Sequence, residues 1–233
     1  MNTDTTPGIS LTTKAWVSLV LMAIVMGLLI FVPAGTTNYW QAWVFLAVFF
    51  LAGALHTGYA IRHDPALLKR RMSGGPTAEK EMAQKIIMLF ATIGFIGMLL
   101  LPALDRRFGW SAGVPVVLVI AGDLLIAVGF YMISFVFRAN SFAAATIQVE
   151  EGQKVITTGP YAIVRHPMYS GALLYCIGIP LALGSYWGFA PLAMMFGFII
   201  WRLFDEERLL RKNLPGYAEY CAKVKWRLVP GVF

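Results

Sequence analysis

The sequence predicts an all-α integral membrane protein of about six transmembrane helices, the last two a tight hairpin, followed by an amphipathic C-terminal helix. Three observations carry that reading. Of the 233 residues, 58% are hydrophobic and 13% charged, against roughly 25% charged in an average soluble domain. Six apolar runs follow one another, most of them near the roughly 20 residues that cross a hydrocarbon core. Threaded as six spans, the chain puts only Arg106 and Arg107 of its 19 lysines and arginines on one side. By the positive-inside rule both termini are then cytoplasmic.

The same asymmetry accounts for the net charge of +7 and the pI of about 9.5, so nucleic acid is not needed to explain them. Cys176 and Cys221 are the two cysteines and form no CxxC, which argues against a disulfide framework or a thiolate metal site. His56, His63 and His166 are too scattered to make a ligand set, so no metal is expected.

In chain order, the first span covers about Ala15 to Val32 and stops at Pro33. It is long enough, and followed by enough further spans, to be a retained helix and not a cleaved leader. Tyr39, Trp40 and Trp43 open the second span as an interfacial belt. That span runs to about Ile61 and contains His56, a residue type that inside a helix is more often packed than ligating. Asp64-Pro65 predicts a helix start for ALLKRRM, with Gly74-Gly75 as its stop. The Lys69-Arg70-Arg71 cluster suits an anionic membrane surface.

Thr77, with Glu79 and Glu81 behind it, is expected to cap a helix that continues as the third span, Ile86 to Leu104. Asp105-Arg106-Arg107 reads as a turn before the fourth span, Val114 to Phe137, which contains Asp123. An acid at that depth is either functional or a paired carboxylate joining helices, with His56 as a candidate partner. The fifth and sixth spans, Met168 to Leu183 and Phe189 to Phe204, are linked by Gly184 to Gly188. The small residues Gly171 and Gly178 suggest that these two pack closely. Finally, Tyr217, Tyr220, Cys221, Val224 and Leu228 fall at helical spacing, as expected of a helix lying in the interface.

Two polar knots stand out against this background. The first, TTGPYAIVRHPMYSG at 157–171, places Arg165 and His166 directly before Pro167. Proline biases His166 away from helical geometry, so the pair sits beside the free amides of the next helix, a setting that suits an anionic or hydrogen-bond-accepting ligand group. The second knot is WRLFDEERLLRK at 201–212. Arg202 and Glu206 are four residues apart in the weaker ion-pair order, which makes simple helix support a poor explanation. Glu207 and Arg211 have the better order and read as ordinary solvated support.

The full pattern, GPYAIVRHPMYSG, then EERLL, then PGYAEYCAKVKWRLVPG, resembles the C-terminal half of isoprenylcysteine carboxyl methyltransferases and their bacterial relatives, a group akin to the phospholipid N-methyltransferases. The match covers roughly residues 145–233. The resemblance implies a membrane enzyme that binds S-adenosyl-L-methionine. By position, Tyr161, His166, Pro167 and Tyr169 match the family's cofactor-binding residues, and Gln153, Lys154, Val155 and Ile156 fall where it uses a backbone-contacting run. Gln148 matches an upstream glutamine, Glu206 the cofactor-contacting glutamate and Arg202 the substrate-side arginine. Residues 1–144 then form a four-span support region and 145–233 the cofactor-binding and catalytic region.

The residue chemistry agrees with that implication. Methyl transfer from a sulfonium needs an oriented nucleophile and exclusion of water more than a strong acid or base. A carboxylate acceptor would want an arginine, which Arg202 or Arg165 could provide. An amine would need a proton acceptor, for which Glu206 is the candidate. No glycine-rich GxGxxG is present, which excludes the common soluble dinucleotide-binding fold. The expected substrate is lipid-like or small and hydrophobic, enters from the bilayer, and most readily offers a carboxylate. A nicotinamide-dependent lipid or sterol reductase is the alternative, and a transporter a weaker one, since no matching pair of broken helices is present.

Overall fold

A computed structural model describes residues 10–72, 79, 81–142 and 152–233. Among these residues the architecture is wholly helical: α1 (Leu11–Ala34), α2 (Trp40–His63), α3 (Pro65–Met72), α4 (Met82–Phe108), α5 (Val116–Ala139), α6 (Pro167–Ala182), α7 (Phe189–Asn213) and α8 (Tyr217–Lys223). The expected six spans correspond to five helices long and apolar enough to cross a membrane, α1, α2, α4, α5 and α7, plus the shorter apolar α6. With 16 residues, α6 is about 24 Å long by helical rise, short of the roughly 30 Å hydrocarbon core.

The helix ends have local causes. Ser10 caps α1 by accepting the Thr13 amide at 3.1 Å, and Gly35, at φ +66°, closes it. Asp64 caps α3 through the Leu67 amide at 2.9 Å, as its place before Pro65 predicts. The expected Thr77 cap and the Gly74-Gly75 stop lie outside the described residues; α4 itself begins at Met82. At the far end of α4, Asp105 is not in a turn, because the helix runs on to Phe108. Its carboxylate is buried and accepts from the Ser111 amide (2.8 Å), the Ser111 hydroxyl (2.6 Å) and the Ser185 hydroxyl (2.5 Å). These bonds tie α4 to the α6–α7 connection.

One expected packing is corrected. The close helix pair is α5 with α6, not α6 with α7. A Cβ on Gly178 of α6 would lie 2.5 Å from the Gly122 carbonyl oxygen, and one on Gly129 of α5 would lie 2.6 Å from the Gly171 carbonyl oxygen. The small residues of α6 thus face small residues on α5, and the backbones touch. The short link still makes α6 and α7 sequential neighbours, but α7 packs on α4, where Gly94 meets Met195 and Gly97 meets Pro191.

The main apolar core joins Met26 and Ile30 of α1, Phe45 of α2, Leu99 of α4, Ile126 of α5 and Ile179 of α6. His56 is structural: its Nε2 lies 2.8 Å from the Phe130 carbonyl oxygen and 2.6 Å from the Ser134 hydroxyl. These bonds join α2 to α5 without Asp123, which is buried on α5.

The C-terminal helix is shorter than its apolar stripe suggests, ending at Lys223. Tyr217, Tyr220, Cys221 and Leu228 are nevertheless buried. Leu228 belongs to the non-helical tail after α8, which pairs with the first knot: the Arg165 amide donates to the Trp226 carbonyl (2.9 Å), the His166 amide to the Arg227 carbonyl (2.9 Å) and the Ser170 hydroxyl to the Leu228 carbonyl (2.7 Å). A helix there would withhold those carbonyls from the knot.

Candidate active site

The first knot is built as a turn that cannot continue as helix. Residues Gly159–Ala162 form one 3-10 turn, with Gly159 at φ +60° in the left-handed region that favours glycine. His166 stands at φ −124°, ψ 62°, outside the helical region as a residue before proline should be. Pro167 then starts α6, and the first-turn amides of that helix have no acceptor within it. Tyr161 is held from two sides: Asn140 donates to its hydroxyl at 2.9 Å, and the Tyr220 hydroxyl donates to its carbonyl at 2.7 Å. Burial pushes the Tyr161 phenol up to about 12, so it stays a hydrogen-bond donor at physiological pH.

Glu207 joins the two knots. It is buried, with Arg165 Nε at 2.9 Å, Arg227 Nε at 3.3 Å and His166 Nε2 at 3.3 Å from Oε1. Its expected role as solvated support for Arg211 is therefore wrong: Arg211 is exposed and Glu207 turns inward. This cluster anchors α7 to the RHP turn and to the tail at once.

Arg202 and Glu206 share the neighbouring face of α7 and meet through a third side chain. The Tyr169 hydroxyl donates to Glu206 Oε2 at 2.7 Å, and Arg202 Nε donates to the Tyr169 hydroxyl at 3.2 Å. The far edge of the Arg202 guanidinium meets Glu79 Oε1 at 2.9 Å and Gln84 Oε1 at 2.8 Å. Gln84 also donates to Asp205. A guanidinium only donates, so the Tyr169 oxygen accepts from Arg202 and sends its own proton to Glu206. The result is a directional chain from the α3–α4 connection across α7 to α6.

Two spaces meet at Tyr169. A polar cleft is lined by Gln153, Lys154, Val155, Ile156, Tyr161, Arg165, His166, Pro167, Tyr169 and Glu206, with Asn140, Phe142, Met168, Leu210, Leu214, Tyr217 and Tyr220 completing its walls. An apolar cavity of about 280 Å³ lies between α4, α6 and α7, lined by residues including Phe95, Tyr169, Leu173, Cys176, Met195 and Ile199. Tyr169 lines both. Of the residues singled out by sequence, Gln148 lies outside the described residues, and Arg202, 5% exposed, lines neither space but stands directly behind Tyr169. Sequence reasoning missed Glu79, Gln84 and Glu207. A buried acid facing an arginine some 40 or 120 positions away leaves no local signal. Tyr217 and Tyr220 did leave one, in the apolar stripe, but they face the cleft and not the lipid.

Glu206 brings a carboxylate to the cleft, beside His166, Tyr161 and the 153–156 run. Among the described residues no group of three or more His, Cys, Asp or Glu could hold a metal ion.

The phospholipid methyltransferase family matches residues 117–215, which include all of α6 and α7 and all but the first residue of α5. The chain is 28% identical over 148 residues to protein-S-isoprenylcysteine O-methyltransferase B of Arabidopsis thaliana, covering 60% of this chain and 70% of that protein. It is 28% identical over 200 residues to a probable protein-S-isoprenylcysteine O-methyltransferase of Oryza sativa subsp. indica, covering 79% and 93%. Delta(14)-sterol reductase TM7SF2 of Mus musculus is 28% identical over 135 residues, which cover 52% of this chain but 32% of that protein.

Proposed function

From its similarity to the phospholipid methyltransferase family and to protein-S-isoprenylcysteine O-methyltransferases, we propose that this chain is a membrane methyltransferase that moves a methyl group from S-adenosyl-L-methionine to a lipid-like acceptor, with a prenylcysteine carboxylate as the favoured class. The observation that carries this reading is Tyr169, the side chain shared by a polar cleft and an apolar cavity. Donor and acceptor would arrive from different solvents, one from water and one from the bilayer, and Tyr169 is where the two routes meet.

When bound, S-adenosyl-L-methionine supplies an electrophilic methyl group on a positively charged sulfur. Gln153 to Ile156, Tyr161, His166 and Pro167 would hold it in the cleft. The Glu206 carboxylate, oriented by the Tyr169 hydroxyl, favours a positive charge nearby. A carboxylate oxygen would take that methyl group, with the electron pair of the carbon–sulfur bond left on sulfur. A carboxylate loses no proton in that step, so no base is required. Arg202 acts through Tyr169 to fix the acceptor side, and the apolar walls of α4, α6 and α7 exclude water from the transfer. The site and both termini would face the cytoplasm.

The reading is tested by incubating detergent-solubilised protein with methyl-labelled S-adenosyl-L-methionine and a panel of prenylcysteines, phospholipids and small thiols. Label is expected on the prenylcysteine. The sterol reductase similarity motivates a control in the same preparation: binding of a reduced nicotinamide cofactor, with indifference to S-adenosylhomocysteine, would replace this reading with a reductase.

A further inference from the structure

Glu79 lies in the connection between α3 and α4, far in sequence from both knots, yet it is 5% exposed and its carboxylate meets the Arg202 guanidinium at 2.9 Å. An ion pair at a membrane surface is worth little, and a buried one has to offset its own desolvation. A buried acid that comes from another element to one arginine therefore calls for a reason beyond helix anchoring. The reason lies in what the arginine does next. Arg202 is a planar fork. Glu79 and Gln84 both meet its Nη1, and its Nε is left aimed at the Tyr169 hydroxyl. Because Nε can only donate, that aim decides where the Tyr169 proton goes, namely onto Glu206.

We propose that Glu79 is a positioning residue for the methyl transfer: through Arg202 it holds the Tyr169 hydroxyl in the orientation that joins the polar cleft to the apolar cavity. Glu79 touches neither space itself. The proposal rests on the methyltransferase reading given above. It extends the site from the two C-terminal knots to the connection ahead of α4. It also makes Gln84 the second brace, since one amide bridges Arg202 and Asp205.

The test uses the full-length protein in detergent, labelled S-adenosyl-L-methionine and a prenylated N-acetylcysteine. Glu79→Gln is expected to lower kcat by about 10-fold or more, the scale of losing one charge-assisted contact. KM for both substrates and S-adenosylhomocysteine affinity should stay near wild type, even though Tm falls as the buried Arg202 loses its acid. Glu79→Asp, which keeps the charge at shorter reach, should recover part of kcat. Adding Glu79→Gln to Arg202→Lys should cost little more than Arg202→Lys alone, because the two act in series.

Full additivity in that double variant overturns the proposal, as does a Glu79→Gln protein that turns over normally or faster. Loss of cofactor affinity in step with activity, with Asp no better than Gln, would make Glu79 a structural brace only and also overturns it. If Glu79→Gln does not fold, Gln84→Leu carries the test, with the same kcat loss expected and normal kcat decisive against it. A wild-type protein that methylates nothing removes the parent reading and this one together. That outcome is distinct from an active wild type with an indifferent Glu79.

Discussion

At the scale of single residues, α7 divides its labour between faces one residue apart. Arg202 and Glu206 address Tyr169, while Glu207 gathers Arg165, His166 and Arg227. Removing Glu207 would leave the buried Arg165 and the half-buried Arg227 without their acid. Glu207→Gln is therefore expected to cost about 3–5 kcal/mol of stability, seen as a lowered Tm in detergent. Arg208→Ala, which breaks an exposed 3.5 Å pair with Asp205, should change stability by no more than about 1 kcal/mol; equal losses from the two changes would mean that the Glu207 cluster is not buried as described. His166→Ala and Tyr169→Ala should each weaken S-adenosylhomocysteine binding by about 1–3 kcal/mol, the cost of a buried polar group left without its partner. Calorimetry checks this, and unchanged affinity would make the first knot structural. Arg202 and Glu206 were legible because their order on the helix is poor as mutual support. Glu207 was hidden by the same rule. Its spacing to Arg211 is the favourable one, and nothing local reports that it points the other way.

At the scale of elements, the site depends on α5 and α6 lying backbone to backbone. Gly178→Leu would force a side chain into the Gly122 carbonyl, where an added Cβ already lies at 2.5 Å. Backbone cannot swing aside as a flexible side chain can, so α6 should separate from α5 and carry the RHP turn with it. Loss of both folded yield and cofactor binding is expected. Gly27→Ala on α1 and Gly58→Ala on α2, with nothing within 4 Å of the new Cβ, should be neutral or stabilise by up to about 1 kcal/mol. Similar damage from all three changes would argue against the close α5–α6 approach. The sequence showed that small residues sit on α6 but not which neighbour they face. A 3.6-residue period gives a helix a face, and only the fold supplies its partner. The tail had the same limit: its apolar stripe was visible, whereas the demand of Arg165 and His166 for carbonyls at Trp226 and Arg227 was not.

At the scale of the whole molecule, the two ends of the helical bundle differ in charge as well as in chemistry. One end carries Tyr39, Asp105, Ser185 and the connection to Gly184, with Arg106 and Arg107 as its arginines. The other gathers the start of α1, the end of α2 and α3 around Ala15, Ala60 and Leu68, and also holds both knots. Lys14, Lys69, Arg70, Arg71, Lys85 and Arg138 lie on elements that reach this second end. Short flanking segments rich in Lys and Arg stay on the cytoplasmic side, so the second end should be the cytoplasmic one. A reporter fused after Phe233, or inserted between Met72 and Glu79, is expected to report the cytoplasm, and one placed near Gly35 or Gly113 the opposite side. Adding lysines beside Gly35 should weaken that preference, since orientation follows the balance of Lys and Arg across the membrane. An exterior reporter after Phe233 would put the polar cleft on the side away from the cytoplasmic pool of S-adenosyl-L-methionine. The methyltransferase reading would then need another source for its donor, whatever the geometry around Tyr169.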